Sequence, residues 1–195
     1  VYKRQRMTLQ WRGLAAQVPP PVPLLHRAAS EGKLAMVKLL LDRGATVDAA
    51  SARRGETPLF LAAKFGGLEA VQLLLEHVQP WMFHVPSKLT LVQTATKYGR
   101  LRVVEALLAK GFLAAEKNGE GETALHLALC NTRCSPAQKL AMVQRLLELD
   151  AASARRRTVS LNWFPLQAAL AGGASQGCVE AVAAAHPEAL RHDVL

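Results

Sequence analysis

His126, Cys130 and Cys134 recur at intervals of four residues, a spacing that lines one face of a helix. Imidazole and thiolate are both good zinc ligands, so metal chemistry is first to be sought here. No fourth ligand accompanies the set, however. Cys134 also falls past the end of a short helix, beside Ser135 and Pro136, which read as the start of a new one. The expectation is idle thiols, with no metal or other cofactor. Hydrolytic chemistry has no better footing. Ser30 lies near His26 in sequence without a third group to orient the pair. Gly172-Gly173 lacks the following Lys and the preceding strand that a phosphate-cradling loop requires. Glu116, Glu120 and Glu122 lie in a connection rich in the turn residues Gly111, Asn118, Gly119 and Gly121, where they read as solvated carboxylates. The chain is not expected to be an enzyme.

Binding chemistry is better represented. Lys64-Phe65 and Lys97-Tyr98 each set a cation before an aromatic, 33 residues apart. Arg53, Arg54, Trp81, Met82 and Phe83 lie in the connections on either side. Aromatics beside cations are the usual anchors of a protein interface. The alternative is that Phe65 and Tyr98 pad helix ends and that Trp81-Met82-Phe83 folds onto the core.

The elements that must position these residues are short helices in pairs. Thr57 can accept a hydrogen bond from an orphan amide of the first turn, and Pro58 suits the first helical position. Leu59, Ala62 and Ala63 fall at helical spacing, Gly66 and Gly67 end that helix, and Leu68, Val71, Leu74 and Leu75 form the apolar face of the next. Such a hairpin cannot bury its own face, so it must be repeated. It is: Ala28, Ala62, Ala95, Ala128 and Ala169 follow one another at 34, 33, 33 and 41 residues. His26, Phe60, Gln93, His126 and Gln167 form a second column, and Gly32, Gly66 and Gly99 mark the turn.

These columns resemble the ankyrin-repeat family. The motif is clearest in Gly55, Thr57, Pro58, Leu59, Ala62, Ala63, Gly66, Val71, Leu74 and Leu75, and again in Gly121, Thr123, Leu125, His126 and Ala128. In the third and fifth repeats Thr90-Leu91-Val92-Gln93 and Phe164-Pro165-Leu166-Gln167 stand in for it. The resemblance implies an all-α solenoid of stacked helix-turn-helix repeats with hairpin-like fingers. Repeats are expected near 22–54, 55–87, 88–120, 121–160 and 161–190, with tails at 1–21 and 191–195. It also implies a structural role for His126, bonded to the backbone and hydroxyls of neighbouring repeats. Partner binding is implied on the concave side, built from fingers and inner helices, with Arg53, Arg54, Lys64, Phe65, Trp81, Met82, Phe83, Lys97 and Tyr98 as the expected site.

Composition agrees with that reading. The chain has 195 residues, half of them apolar and only 5% aromatic, which suits a core of Leu, Ala and Val. No apolar run is long enough to span a bilayer. Three unevenly placed cysteines suggest reduced thiols and an intracellular setting, cytoplasmic or nuclear. The net charge of +9 points towards acidic partners or merely towards solubility, and the basic, aromatic character of the expected site predicts a protein partner with acidic and apolar side chains. Polyanion or nucleic-acid binding through Arg53, Arg54, Lys64, Lys97 and Arg155–Arg157 is the alternative.

Residues 6–17 are expected to form a short helix around Met7, Leu9, Trp11 and Leu14, followed by a proline-rich connector over 18–23. Residues 1–5 read as an adapter translation from a sequencing library, or as a basic tail; without Lys3 and Arg4 the net charge falls from +9 to +7. That origin, and the end at Leu195, suggest a segment of a larger protein.

Overall fold

The computed structural model describes residues 23–51, 55–65, 67–78, 89–159 and 161–189. The expected helix over 6–17 therefore lies outside the described residues. Among the described residues ten α-helices follow one another in five hairpins. They are α1 (Leu24–Ser30) with α2 (Leu34–Asp42), α3 (Pro58–Phe65) with α4 (Leu68–Glu76), α5 (Leu91–Lys97) with α6 (Leu101–Ala109), α7 (Ala124–Leu129) with α8 (Pro136–Leu149), and α9 (Pro165–Ala171) with α10 (Gln176–Ala185). A 3-10 turn, Ala151–Arg155, precedes the last hairpin. The odd-numbered helices stack into an inner row and the even-numbered ones into an outer row, each touching its counterpart in the next repeat.

The alanine column makes this stacking possible. Ala28, Ala62, Ala95, Ala128 and Ala169 are all buried, and their single methyl groups let inner helices approach at ordinary packing distance, about 8–10 Å between axes. Leu74, Leu107 and Leu146 fill one column of the outer row and are buried to the same degree, each contributing about 2 kcal/mol of transfer free energy. Pro58, Leu91, Ala124 and Pro165 open their helices fully buried, whereas Leu24, at the same place in the first repeat, is 69% exposed.

The helix starts follow the capping chemistry of the sequence. Thr57 Oγ1 accepts from the Phe60 amide at 3.2 Å. At the third repeat the departure from the motif leaves its physics intact: Thr90 Oγ1 accepts from Gln93 N at 3.3 Å while Gln93 Oε1 accepts from Thr90 N at 3.0 Å. Ser135 and Gln138 exchange the same pair of bonds ahead of α8, so the insertion in repeat four ends in a new helix start, as expected. Pro23 offers α1 neither a hydroxyl nor an N–H, and there is no side-chain cap there.

The side chain at the third helical position does more than cap. It reaches into the next connection and grips main-chain carbonyls. His26 Nε2 meets Glu56 O at 3.0 Å, Gln93 Nε2 donates to Glu116 O at 2.8 Å and Glu122 O at 3.0 Å, and His126 Nε2 meets Trp163 O at 3.4 Å. In repeat two this place belongs to Phe60, which has no polar atom to offer.

The connections are hairpin-like, but no strand forms among the described residues. Among the described residues a main-chain bond closes each of three fingers: Ser51 N to Glu56 O, Asn118 N to Glu122 O and Thr158 N to Trp163 O, at 2.9–3.0 Å. Two residues before each cap the backbone turns left-handed, at Gly55 (φ 66°), Gly121 (φ 78°) and Asn162 (φ 55°). Asn is the side-chain-bearing residue that best tolerates this conformation, which accounts for it where the other fingers use Gly.

Candidate functional site

The two Lys-aromatic pairs end the inner helices α3 and α5, and the structure brings three of their four members together. Lys64 is not the free surface cation that its place after the alanine pair suggests. Helical side chains lean towards the N-terminus, and Lys64 runs back along α3 to the Glu56 carboxylate, Nζ to Oε1 3.3 Å. Both side chains are largely covered, at 16% and 15% exposed. The same ammonium lies 5.4 Å from the Phe65 ring centroid and 5.8 Å from that of Tyr98, so it bridges repeats two and three. Phe65 remains 53% exposed.

Lys97 leaves this row. Consecutive helical residues point about 100° apart, and Lys97 instead lines a groove of about 320 Å³ with Leu89, Asn118, Gly119, Glu120, Glu122 and Leu127. Tyr98 receives a second cation: the Arg133 guanidinium lies 5.1 Å from its ring centroid. Phe65, Lys64, Tyr98 and Arg133 thus alternate aromatic and cation across three repeats.

Arg133 was not among the residues expected from sequence. It lies in the insertion between α7 and α8, where the repeat columns break down. The one available signal was the lengthened last interval of the alanine column. Asn131 sets its position. This side chain is buried, donates from Nδ2 to Thr96 O at 2.7 Å, and accepts from Arg133 N through Oδ1 at 2.7 Å. Arg53, Arg54, Trp81, Met82 and Phe83 lie outside the described residues.

Three of the seven cations counted for a polyanion site are engaged elsewhere. Lys64 pairs with Glu56, Arg156 Nη1 donates to Ala115 O at 2.8 Å, and Arg157 stacks 4.1 Å from the Phe164 ring.

His126 takes the structural role expected of it. Its Nδ1 accepts from Thr123 N at 3.3 Å and lies 3.0 Å from Thr123 Oγ1, which leaves the proton on Nε2 to face Trp163 O. Burial lowers the pKa of both His126 and His26, since neither ring can be charged in that setting without losing hydration. Cys130 ends α7 and Cys134 lies beyond it, and desolvation pushes both thiols up, away from reactive thiolate. No group of three or more His, Cys, Asp or Glu among the described residues could hold a metal ion. No helix among them is long and apolar enough to cross a membrane.

A row of stacked helical hairpins, three of them stapled to the next connection through His26, Gln93 and His126, defines a helical-repeat solenoid, a class that works by presenting an extended surface. The chain belongs to the ankyrin-repeat family: the family "Ankyrin repeats (3 copies)" matches residues 22–83 and "Ankyrin repeats (many copies)" matches residues 92–147. Ankyrin repeats are in general non-catalytic protein-interaction modules.

Similar proteins are diverse. The chain is 35% identical over 104 residues to a B-cell lymphoma 3 protein homolog of Mus musculus, covering 53% of this chain and 23% of that protein. It is 35% identical over 107 residues to a transient receptor potential cation channel subfamily A member 1 homolog of Caenorhabditis elegans, covering 55% and 9%. It is 38% identical over 85 residues to a probable E3 ubiquitin-protein ligase of Oryza sativa subsp. japonica, covering 43% and 19%. The matched stretch spans less than a quarter of each of these relatives.

Proposed function

We propose that this chain binds a protein partner across its inner-helix face, centred on Phe65, Lys64, Tyr98 and Arg133. Arg53, Arg54, Trp81, Met82, Phe83 and Lys97 extend the contact along the fingers. The observation that carries the reading is the unbroken aromatic-cation row with Phe65 standing half out of the surface. Side chains held by one another lose little freedom on binding, so more of their contact energy appears as affinity. No chemistry is required of the chain; it presents a rigid surface.

Affinity capture from lysate, followed by calorimetry on the captured partner, tests the face. Phe65→Ala and Trp81→Ala should each weaken binding by on the order of 2 kcal/mol. A partner that binds the double variant as tightly as the parent would show that this face is not used.

The coverage of the relatives supports a second, compatible reading. In each relative named above the matched stretch is a minor part of a long protein. This chain then supplies the docking part of a larger protein whose activity lies in other segments. The sequence of the full transcript tests that directly.

A further inference from the structure

The geometry points to Arg133 as the residue that receives a carboxylate from the partner, an acidic peptide segment with an apolar side chain for Phe65 close by. This rests on the proposed inner-helix face and specifies its chemistry.

Three observations converge on Arg133. First, its backbone is pinned: Asn131, buried, ties it through Oδ1 and ties repeat three through the Thr96 carbonyl in the last turn of α5. Second, its guanidinium lies 5.1 Å from the Tyr98 ring, which restrains the flat cation from one side. Third, no described carboxylate pairs with it, whereas Arg27 and Arg145 each hold a glutamate three or four residues on and Arg156 holds a carbonyl. A guanidinium on a ring still has the N–H donors at its edge available, and that edge fits the two oxygens of a carboxylate.

The row also sets the partner's dimensions. Its steps of 5.4, 5.8 and 5.1 Å place the Arg133 guanidinium no more than about 16 Å from the Phe65 ring. An extended chain advances about 3.3 Å per residue, so the acidic and apolar side chains lie within about five residues of each other.

A phosphate backbone could also meet Arg133, but the surroundings favour a peptide. Lys64 is already neutralised by Glu56, which leaves the row with one available cation instead of a track of them. Phe65 offers an apolar contact that a phosphate cannot use.

The test is selection of displayed random short peptides on the whole chain, then binding of the enriched peptides to variants. The proposal expects Asp or Glu within about five residues of an apolar side chain. It expects about tenfold weaker binding to Arg133→Gln, and an intermediate loss with Arg133→Lys, which keeps the charge but not the fork. Arg133 is exposed, and an unchanged melting profile for each variant confirms that folding is intact.

Failure to enrich any peptide overturns the proposal, as do enriched peptides without an acidic residue or undiminished binding to Arg133→Gln. If Arg133→Gln is silent while Phe65→Ala abolishes binding, the face stands and the carboxylate assignment falls. If both variants are silent, the face falls as well. If oligothymidylate binds at Arg133 in place of any acidic peptide, phosphate recognition replaces the proposal.

Discussion

Gln93→Leu removes three hydrogen bonds from one buried amide at nearly constant volume. Gln93 is 1% exposed. Its Nε2 donates to Glu116 O at 2.8 Å and Glu122 O at 3.0 Å, and its Oε1 accepts from Thr90 N at 3.0 Å. The variant leaves two carbonyls and one amide without that partner. Orphaning a buried polar group costs about 1–3 kcal/mol. The finger carbonyls can recover water more easily than a core group, so the low end applies, about 3 kcal/mol for the three. Leucine recovers roughly 1 kcal/mol through apolar burial. The expected net loss is about 2 kcal/mol, which for a chain of this size lowers Tm by about 4–8 °C.

Thermal and urea melts followed by circular dichroism measure the loss. Amide exchange locates it, with faster exchange expected at Asn118 and Gly121, whose amides close this finger. Thr90→Ala is the control, because it removes the cap acceptor for Gln93 N and leaves both staples; its cost should be about 1 kcal/mol, without accelerated exchange in the finger. A Gln93→Leu loss below about 0.5 kcal/mol, or an unchanged finger, would refute the claim that this side chain holds the connection.

Two further outcomes follow from other sites. His26 and His126 have folded-state pKa values below 6.5, so the unfolded chain binds more protons once the pH drops under that value. Stability should be level above about pH 6.5, fall as the pH passes down towards the folded-state values, and level off beneath them; His126→Gln should flatten part of that fall in melts across the range, and a stability that rises on acidification would contradict the sign. At Asn162, held at φ 55°, Asn162→Ala should lower stability by about 1 kcal/mol in urea melts while Asn162→Gly is tolerated, and equal behaviour of the two would show that the left-handed turn carries no strain.

The repeat was legible because its signals are local or periodic. The alanine column and the Thr57-Pro58 start specify a helix and a packing distance without reference to anything remote. Even the altered motif at Thr90–Gln93 keeps a hydroxyl at the cap and an acceptor three residues on, and folds as the others do.

The candidate site was half legible. The recurrence of Lys before an aromatic picked out Lys64, Phe65 and Tyr98, but not the direction each side chain takes. Lys64 turns inward because Glu56 waits two helical turns back, a pairing visible only once the finger is folded. Arg133 escaped because an insertion has no column to be read against; its approach to Tyr98 depends on Asn131 reaching across 35 residues to Thr96. The run Arg155–Arg157 looked like three equivalent surface cations, yet two of them are committed to a carbonyl and a ring.

The grips on Glu56, Glu116, Glu122 and Trp163 all fall on main-chain oxygens. Every amino acid presents that oxygen, so these grips are indifferent to which residues the fingers carry. Architecture and vocabulary are thereby separated: substitutions at the gripped positions can rewrite what the surface says to a partner without loosening the frame that holds it up. The Lys64–Glu56 pair and the Asn118 Nδ2 bond to the Glu122 carboxylate at 2.8 Å are exceptions among these contacts, because there a finger side chain is itself part of the frame. A library diversified along the fingers, with Glu56, Asn118, Glu122 and the left-handed Gly55, Gly121 and Asn162 held constant, would therefore sample new specificities on one frame.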